Sequence, residues 1–233
     1  ATLTNTGTVT IAATAIADAA DSGTAYASNS DVIQQYAYTN STGDASVSLD
    51  NSATLALTAE GTATGGSYAY ATGTIDVGIS QSAYAGGTGD ASVDLTNDGA
   101  ITIAANAAAA ADYASASASI SSAAISQNAY AANGNATAAL TNTGTINITA
   151  DAIANGATYV SAEGSVSTGI AQSGYAAGTG NATVALTNSG TINIGGTGTA
   201  DATSATGDAY AYASVNTGLD QYASANDGDA SVS

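Results

Sequence analysis

The feature that most constrains this chain is a set of markers that returns at a nearly fixed interval. Leu3-Thr4-Asn5-Thr6-Gly7 reappears in altered form at Leu49, Leu95, Leu140 and Leu186, which places asparagines at Asn5, Asn51, Asn97, Asn142 and Asn188. Their spacings are 46, 46, 45 and 46 residues. Glutamines repeat in step at Gln35, Gln81, Gln127, Gln172 and Gln221, and a Gly-(Asp/Asn)-Ala-(Ser/Thr) motif starts at Gly43, Gly89, Gly134, Gly180 and Gly228. Three markers held in register over five units define a repeat protein, whose units bury their apolar faces only by stacking on one another.

Within a unit the apolar pattern has a period of two. Ala91, Val93 and Leu95 alternate with polar residues, Asn97-Asp98-Gly99 breaks the run, and Ile101 and Ile103 resume it. Further on, Ala114, Ala116, Ala118 and Ile120 alternate, as do Ile125, Gln127, Ala129 and Ala131. Short strands with one inward face, joined at Asn/Asp/Gly corners, produce this pattern. The chain has no proline, as befits strands that donate hydrogen bonds on both sides. The run Ala107 to Ala111, where helix propensity competes, is expected to be a bulged corner. The reading is all-β: one continuous parallel β-solenoid over residues 1–233.

The two halves of a unit resemble each other. Ile11, Gln35, Leu57, Gln81, Ile103, Gln127, Ile148, Gln172, Ile194 and Gln221 form a series with steps of 21 to 27 residues. Near-equal steps predict two turns of about 23 residues per unit, hence ten rungs and a rod of roughly 48 Å at about 4.8 Å per rung. One wide turn per unit, with five rungs and half that length, is the alternative. Glutamine shares the parity of isoleucine, so its amide points inward and must bond to corner carbonyls, water or another amide. With ten rungs, the glutamines would alternate with isoleucines and lie too far apart to stack side by side.

Composition narrows the function. Lys, Arg, His, Cys, Met, Trp, Phe and Pro are absent, and 18 acidic residues give a formal charge of −18. Without cationic side chains nothing neutralises phosphates, which excludes nucleic-acid partners. No apolar run is long enough for a membrane-spanning helix. Without His or Cys there is no ordinary zinc site, thiol chemistry or disulfide framework. Catalysis is not expected. The only glutamates, Glu60 and Glu163, do not recur in other units, so a repeated carboxylate pair is missing. The threonines of Thr8-Val9-Thr10 give way to Ala56, Ala100 and Asn193 in other units, so no flat threonine array forms for ice binding.

The remaining candidates are columns. Asn5, Asn51, Asn97, Asn142 and Asn188 suit an internal ladder, and asparagine also tolerates left-handed turn geometry at a corner. Tyr38, Tyr84, Tyr130 and Tyr175 follow their glutamines by three residues, with Ser224 breaking the series. Their parity is outward, either as a shield over a thin core or as a contact stripe for a neighbouring rod, a glycan or a host surface. Asp44, Asp90 and Asp229, with Asn135 and Asn181 at equivalent positions, mark an acidic corner. It is expected to be solvated, with Ca²⁺ bridging as the alternative and no other metal or cofactor implied.

Leu140-Thr141-Asn142-Thr143-Gly144-Thr145-Ile146-Asn147-Ile148 and its counterpart from Leu186 resemble passenger repeats of autotransporters and large bacterial surface adhesins. That resemblance covers all five units and implies an exported right-handed parallel β-helix. The Ile-x-Gln-x-(Ala/Gly)-Tyr-Ala segments are similar to curlin repeats of extracellular fibres, though the period here is twice as long and the second glutamine is missing. Both resemblances imply an extracellular or bacterial cell-surface location. The expectation is a window of a longer repeat protein or a filament subunit, self-associating end to end and side by side. The function expected is a structural surface fibre; the alternative is the stalk of an adhesin that binds through another domain.

Overall fold

The computed structural model describes residues 1–204 and 206–233. The chain repeats one circuit of a short, a middle and a long strand. The first circuit is β1 (Thr2–Asn5), β2 (Thr8–Asp18) and β3 (Ser22–Thr39). The second is β4 (Ala45–Asn51), β5 (Thr54–Thr64) and β6 (Tyr68–Ala85). The third is β7 (Ala91–Asn97), β8 (Ala100–Ala110) and β9 (Tyr113–Ala131), and the fourth β10 (Ala136–Asn142), β11 (Thr145–Gly156) and β12 (Tyr159–Ala176). The fifth is β13 (Ala182–Asn188), β14 (Thr191–Ala202) and β15 (Asp208–Ala225), followed by β16 (Ala230–Val232). Short strands stack only on short strands, middle on middle and long on long, always in parallel. The result is a three-sheet parallel β-solenoid.

The register corrects the expected rung count. Asn51 pairs with Asn97, Ile103 with Ile148, and Gln81 with Gln127, so each residue lies beside its counterpart one whole unit away. Ile103 belongs to the middle sheet and Gln127 to the long-strand sheet. One unit is therefore one wide rung. Five rungs at about 4.8 Å span roughly 24 Å, half the expected length. The half-unit similarity arose because every inward-facing strand carries the same period-two pattern, which records parity but not which sheet a strand joins.

Apolar columns run through the stack. Leu49, Leu95 and Leu140 line one column, Leu57, Ile103 and Ile148 another, and Ile79, Ile125 and Ile170 a third; all are buried. Each fully buried Leu or Ile contributes roughly 1.5–3 kcal/mol. Leu55, Ile101 and Ile146 form a further buried column and Ile75, Ile120 and Val166 another, and alanine fills most of the remaining core. The first halves of the long strands lie against the middle strands, with Ala71, Ala116 and Ala162 in one cluster with Ala59, Ala105 and Ala150. The second halves close on the short strands in a narrower core that includes Val47, Val93, Ala83 and Ala129. Pairing is interrupted between Ile75 and Ile79, where the long strand bends from one neighbour to the other.

The Ala107–Ala110 segment is also corrected. It lies within β8, pairs in register with β11, and alternates inward and outward. Flanking strands supply hydrogen bonds to both edges, and this pairing overrides intrinsic helix propensity. The corners stack as well: Thr143 N–H donates to the Asn97 carbonyl (2.9 Å) and Ala132 N–H to the Ala85 carbonyl (2.8 Å). No described residue has a positive φ, so the corner asparagines do not serve by adopting left-handed geometry.

Candidate functional site

The asparagine column ends each inner short strand and is buried at Asn51, Asn97 and Asn142. Asn5 Nδ2 donates to Asn51 Oδ1, Asn51 to Asn97, Asn97 to Asn142, and Asn142 to Asn188, each at 2.7 Å. Asn97 Nδ2 also reaches the Gly99 carbonyl of its own corner (3.3 Å) and the Thr145 carbonyl of the next rung (3.1 Å). These bonds tie the end of the short strand to the start of the middle strand.

The glutamines form a second ladder, contrary to the expected separation. Gln81 Nε2 donates to Gln35 Oε1, Gln127 to Gln81, Gln172 to Gln127, and Gln221 to Gln172, at 2.8–2.9 Å. Gln35, Gln81, Gln127 and Gln172 also cross the core to short-strand carbonyls, as Gln127 does to Ala139 (2.9 Å). This ladder donates toward the N-terminal end and the asparagine ladder toward the C-terminal end. Both keep buried amides bonded.

The acidic corner forms a third ladder of another kind. Asp44 Oδ1 accepts the Asp90 N–H (2.9 Å), Asp90 Oδ1 the Asn135 N–H (2.7 Å), Asn135 Oδ1 the Asn181 N–H, and Asn181 Oδ1 the Asp229 N–H. Asp and Asn interchange here because each rung-to-rung backbone N–H is accepted by the oxygen that both side chains share, and Asn135 Nδ2 adds a bond to Asp90 Oδ1 (3.2 Å). Asp44 and Asp90 stand on adjacent rungs, about 4.8 Å apart, whereas Asp229 lies three rungs from Asp90, roughly 14 Å. Among the described residues no three acidic side chains gather closely enough to hold a metal ion. Glu60 and Glu163 lie on different sheets, in β5 and β12.

The long-strand sheet carries the aromatic residues. All 13 tyrosines of the chain lie on β3, β6, β9, β12 and β15, and none is buried. Tyr38, Tyr84, Tyr130 and Tyr175 stack rung on rung with centroids 5.1, 4.7 and 5.5 Å apart. Ser224 pairs with Tyr175, and the stack ends there. A second stack, absent from the sequence reading, stands at the start of the same sheet. Tyr68 lies 5.0 Å from Tyr113, Tyr113 6.5 Å from Tyr159, and Tyr159 5.5 Å from Tyr210. Its signal was the 45- and 46-residue spacing of Tyr68, Tyr113 and Tyr159, masked because Ser22 and Asp208 hold the position in the outer units. Tyr70, packed 5.5 Å from Tyr26, stands two residues from Tyr68, and the space between forms a groove of about 230 Å³.

Two further groups stand out. Burial, and then the neighbouring Asp50 carboxylate, raise the Asp94 carboxyl above its ordinary pKa on the outer side of the short-strand sheet. Thr72 Oγ1, in register with Tyr26, is the only buried side-chain polar atom without a hydrogen-bond partner among the described residues. Comparison with family models, curated proteins and solved structures returns no match.

Proposed function

We propose that this chain is a non-enzymatic structural repeat protein of the bacterial exterior, forming part of a surface fibre or filament. The observation that carries this reading is translational continuity. Asparagine, glutamine and Asp/Asn ladders, apolar columns and a tyrosine stack all advance by one unit per rung. Such a stack is stiff along its axis and extends by adding identical rungs, whether from more repeats or from another copy. A surface free of Lys and Arg also presents no site to trypsin-like proteases, which suits an exposed location.

The test is immunogold electron microscopy of intact producing cells with antibody to this chain. Label along filaments of constant width is the expected result. Label along stalks that end in a distinct tip would favour the adhesin-stalk alternative, and label confined to the cell interior would overturn both.

A further inference from the structure

The tyrosine groove on the first half of the long-strand sheet lies outside the buried apolar core. Its walls are Tyr68, Tyr113 and Tyr159 on one side and Tyr70 with Ser115 on the other, over a floor that includes Gly23. Its rings are exposed: Tyr68 at 57% and Tyr113 and Tyr159 at 41% each. Acidic residues stand at the strand starts next to it. Asp112 directly precedes Tyr113, Asp208 stands in register with Tyr159, and the Asp21 carbonyl accepts the Tyr68 N–H (3.1 Å). Asp21, Asp112 and Asp208 are all exposed.

We propose that this groove docks an arginine-rich extended polypeptide segment. Guanidinium groups are planar, stack on aromatic faces and pair with carboxylates in a fork, whereas ammonium groups act as compact point charges. The Tyr113–Tyr159 pair, with ring centroids 6.5 Å apart and tilted by 24°, is the widest step of the stack, so these two faces cover each other least. Asp112 and Asp208 lie on either side of this step. Charge selects the occupant. The chain carries −18 and no Lys or Arg, so a second copy brings more repulsion, while a cationic segment supplies every positive group the face lacks. The inference does not depend on the fibre reading.

The experiment titrates the full chain with an oligoarginine peptide, followed by calorimetry and by intrinsic tyrosine fluorescence, since the chain has no tryptophan. The comparison is a triple variant, Tyr68→Ser, Tyr113→Ser and Tyr159→Ser, which installs the residue already present at Ser22. A control variant carries Tyr84→Ser and Tyr130→Ser in the other stack. Circular dichroism establishes that both keep the β-solenoid spectrum. The expected result is affinity at least about tenfold weaker in the triple variant, unchanged affinity in the control, and weaker binding of oligolysine of equal length. A tenfold loss corresponds to about 1.4 kcal/mol. Equal affinity for all three proteins, equal loss in both variants, or no preference for arginine over lysine would overturn the proposal and leave only diffuse attraction to an acidic surface.

Discussion

At the scale of single residues, the stack depends on amides whose two ends are used differently. Gln127 donates to Gln81 and to the Ala139 carbonyl, and accepts from Gln172. Gln127→Glu keeps the shape but replaces the donor with a carboxylate facing Gln81 Oε1. Orphaning a buried partner costs roughly 1–3 kcal/mol, and an added buried charge costs more. Chemical denaturation at neutral pH should show a loss of at least about 3 kcal/mol, partly recovered in acid, where the carboxyl is protonated and donates again. An equally stable variant would mean that the ladder contributes little. Asp94 carries the opposite lesson. Its raised pKa means the folded state holds a proton that the unfolded chain has released, so stability falls as pH rises from the ordinary carboxylate range through the raised value. Asp94→Asn should therefore raise the denaturation midpoint at neutral pH and leave it unchanged in strong acid. The repeating amides were legible in the sequence. Their partners were not, because parity shows that a side chain points inward without showing which neighbour it meets.

At the scale of strands, the middle and long strands approach so closely that side-chain size becomes a condition of the fold. A methyl group on Gly73 would be driven into the Asn106 carbonyl and approach the Ala59 carbonyl at 2.7 Å; one on Gly61 would strike the Thr72 carbonyl. Gly164 and Gly198 meet the opposing sheet in the same way. This contact explains a composition of 58 alanines and 27 glycines that would otherwise suggest disorder. Gly73→Ala should destabilise by roughly 1–3 kcal/mol, the usual range for overpacking, measured as a lowered midpoint without loss of the β spectrum. Ala118→Gly, one rung away in the same column, leaves a smaller defect and should cost less. Strand identity and inward parity followed from the alternation alone. The Ala107–Ala111 run did not, because its helix propensity is local while the pairing that overrides it comes from strands 45 residues away.

At the scale of the whole molecule, a single-sign charge is spread over a rod with one tyrosine-bearing sheet. Repulsion among 18 carboxylates opposes both folding and side-by-side association, so the thermal midpoint and lateral bundling should rise together with sodium chloride as the Debye length falls to about 10 Å at 0.1 M. A midpoint indifferent to salt would mean that these charges are already well separated. The repeat length, the β-solenoid class and the first tyrosine column were all readable from the sequence; the rung count was not, since two half-units of equal parity look alike until their partners are known. That count is also where the structure is most directly tested. Nitroxide labels at Thr96→Cys and Thr141→Cys, in a chain that has no cysteine of its own, probe an in-register pair on adjacent rungs. Labels at Thr102→Cys and Ser126→Cys probe a pair that would be adjacent only with two rungs per unit, and that here lies on two different sheets. One wide rung per repeat requires the electron paramagnetic resonance spectrum of the first pair to collapse by spin exchange at about 4.8 Å, with no exchange in the second. Exchange in the second pair and none in the first would contradict it.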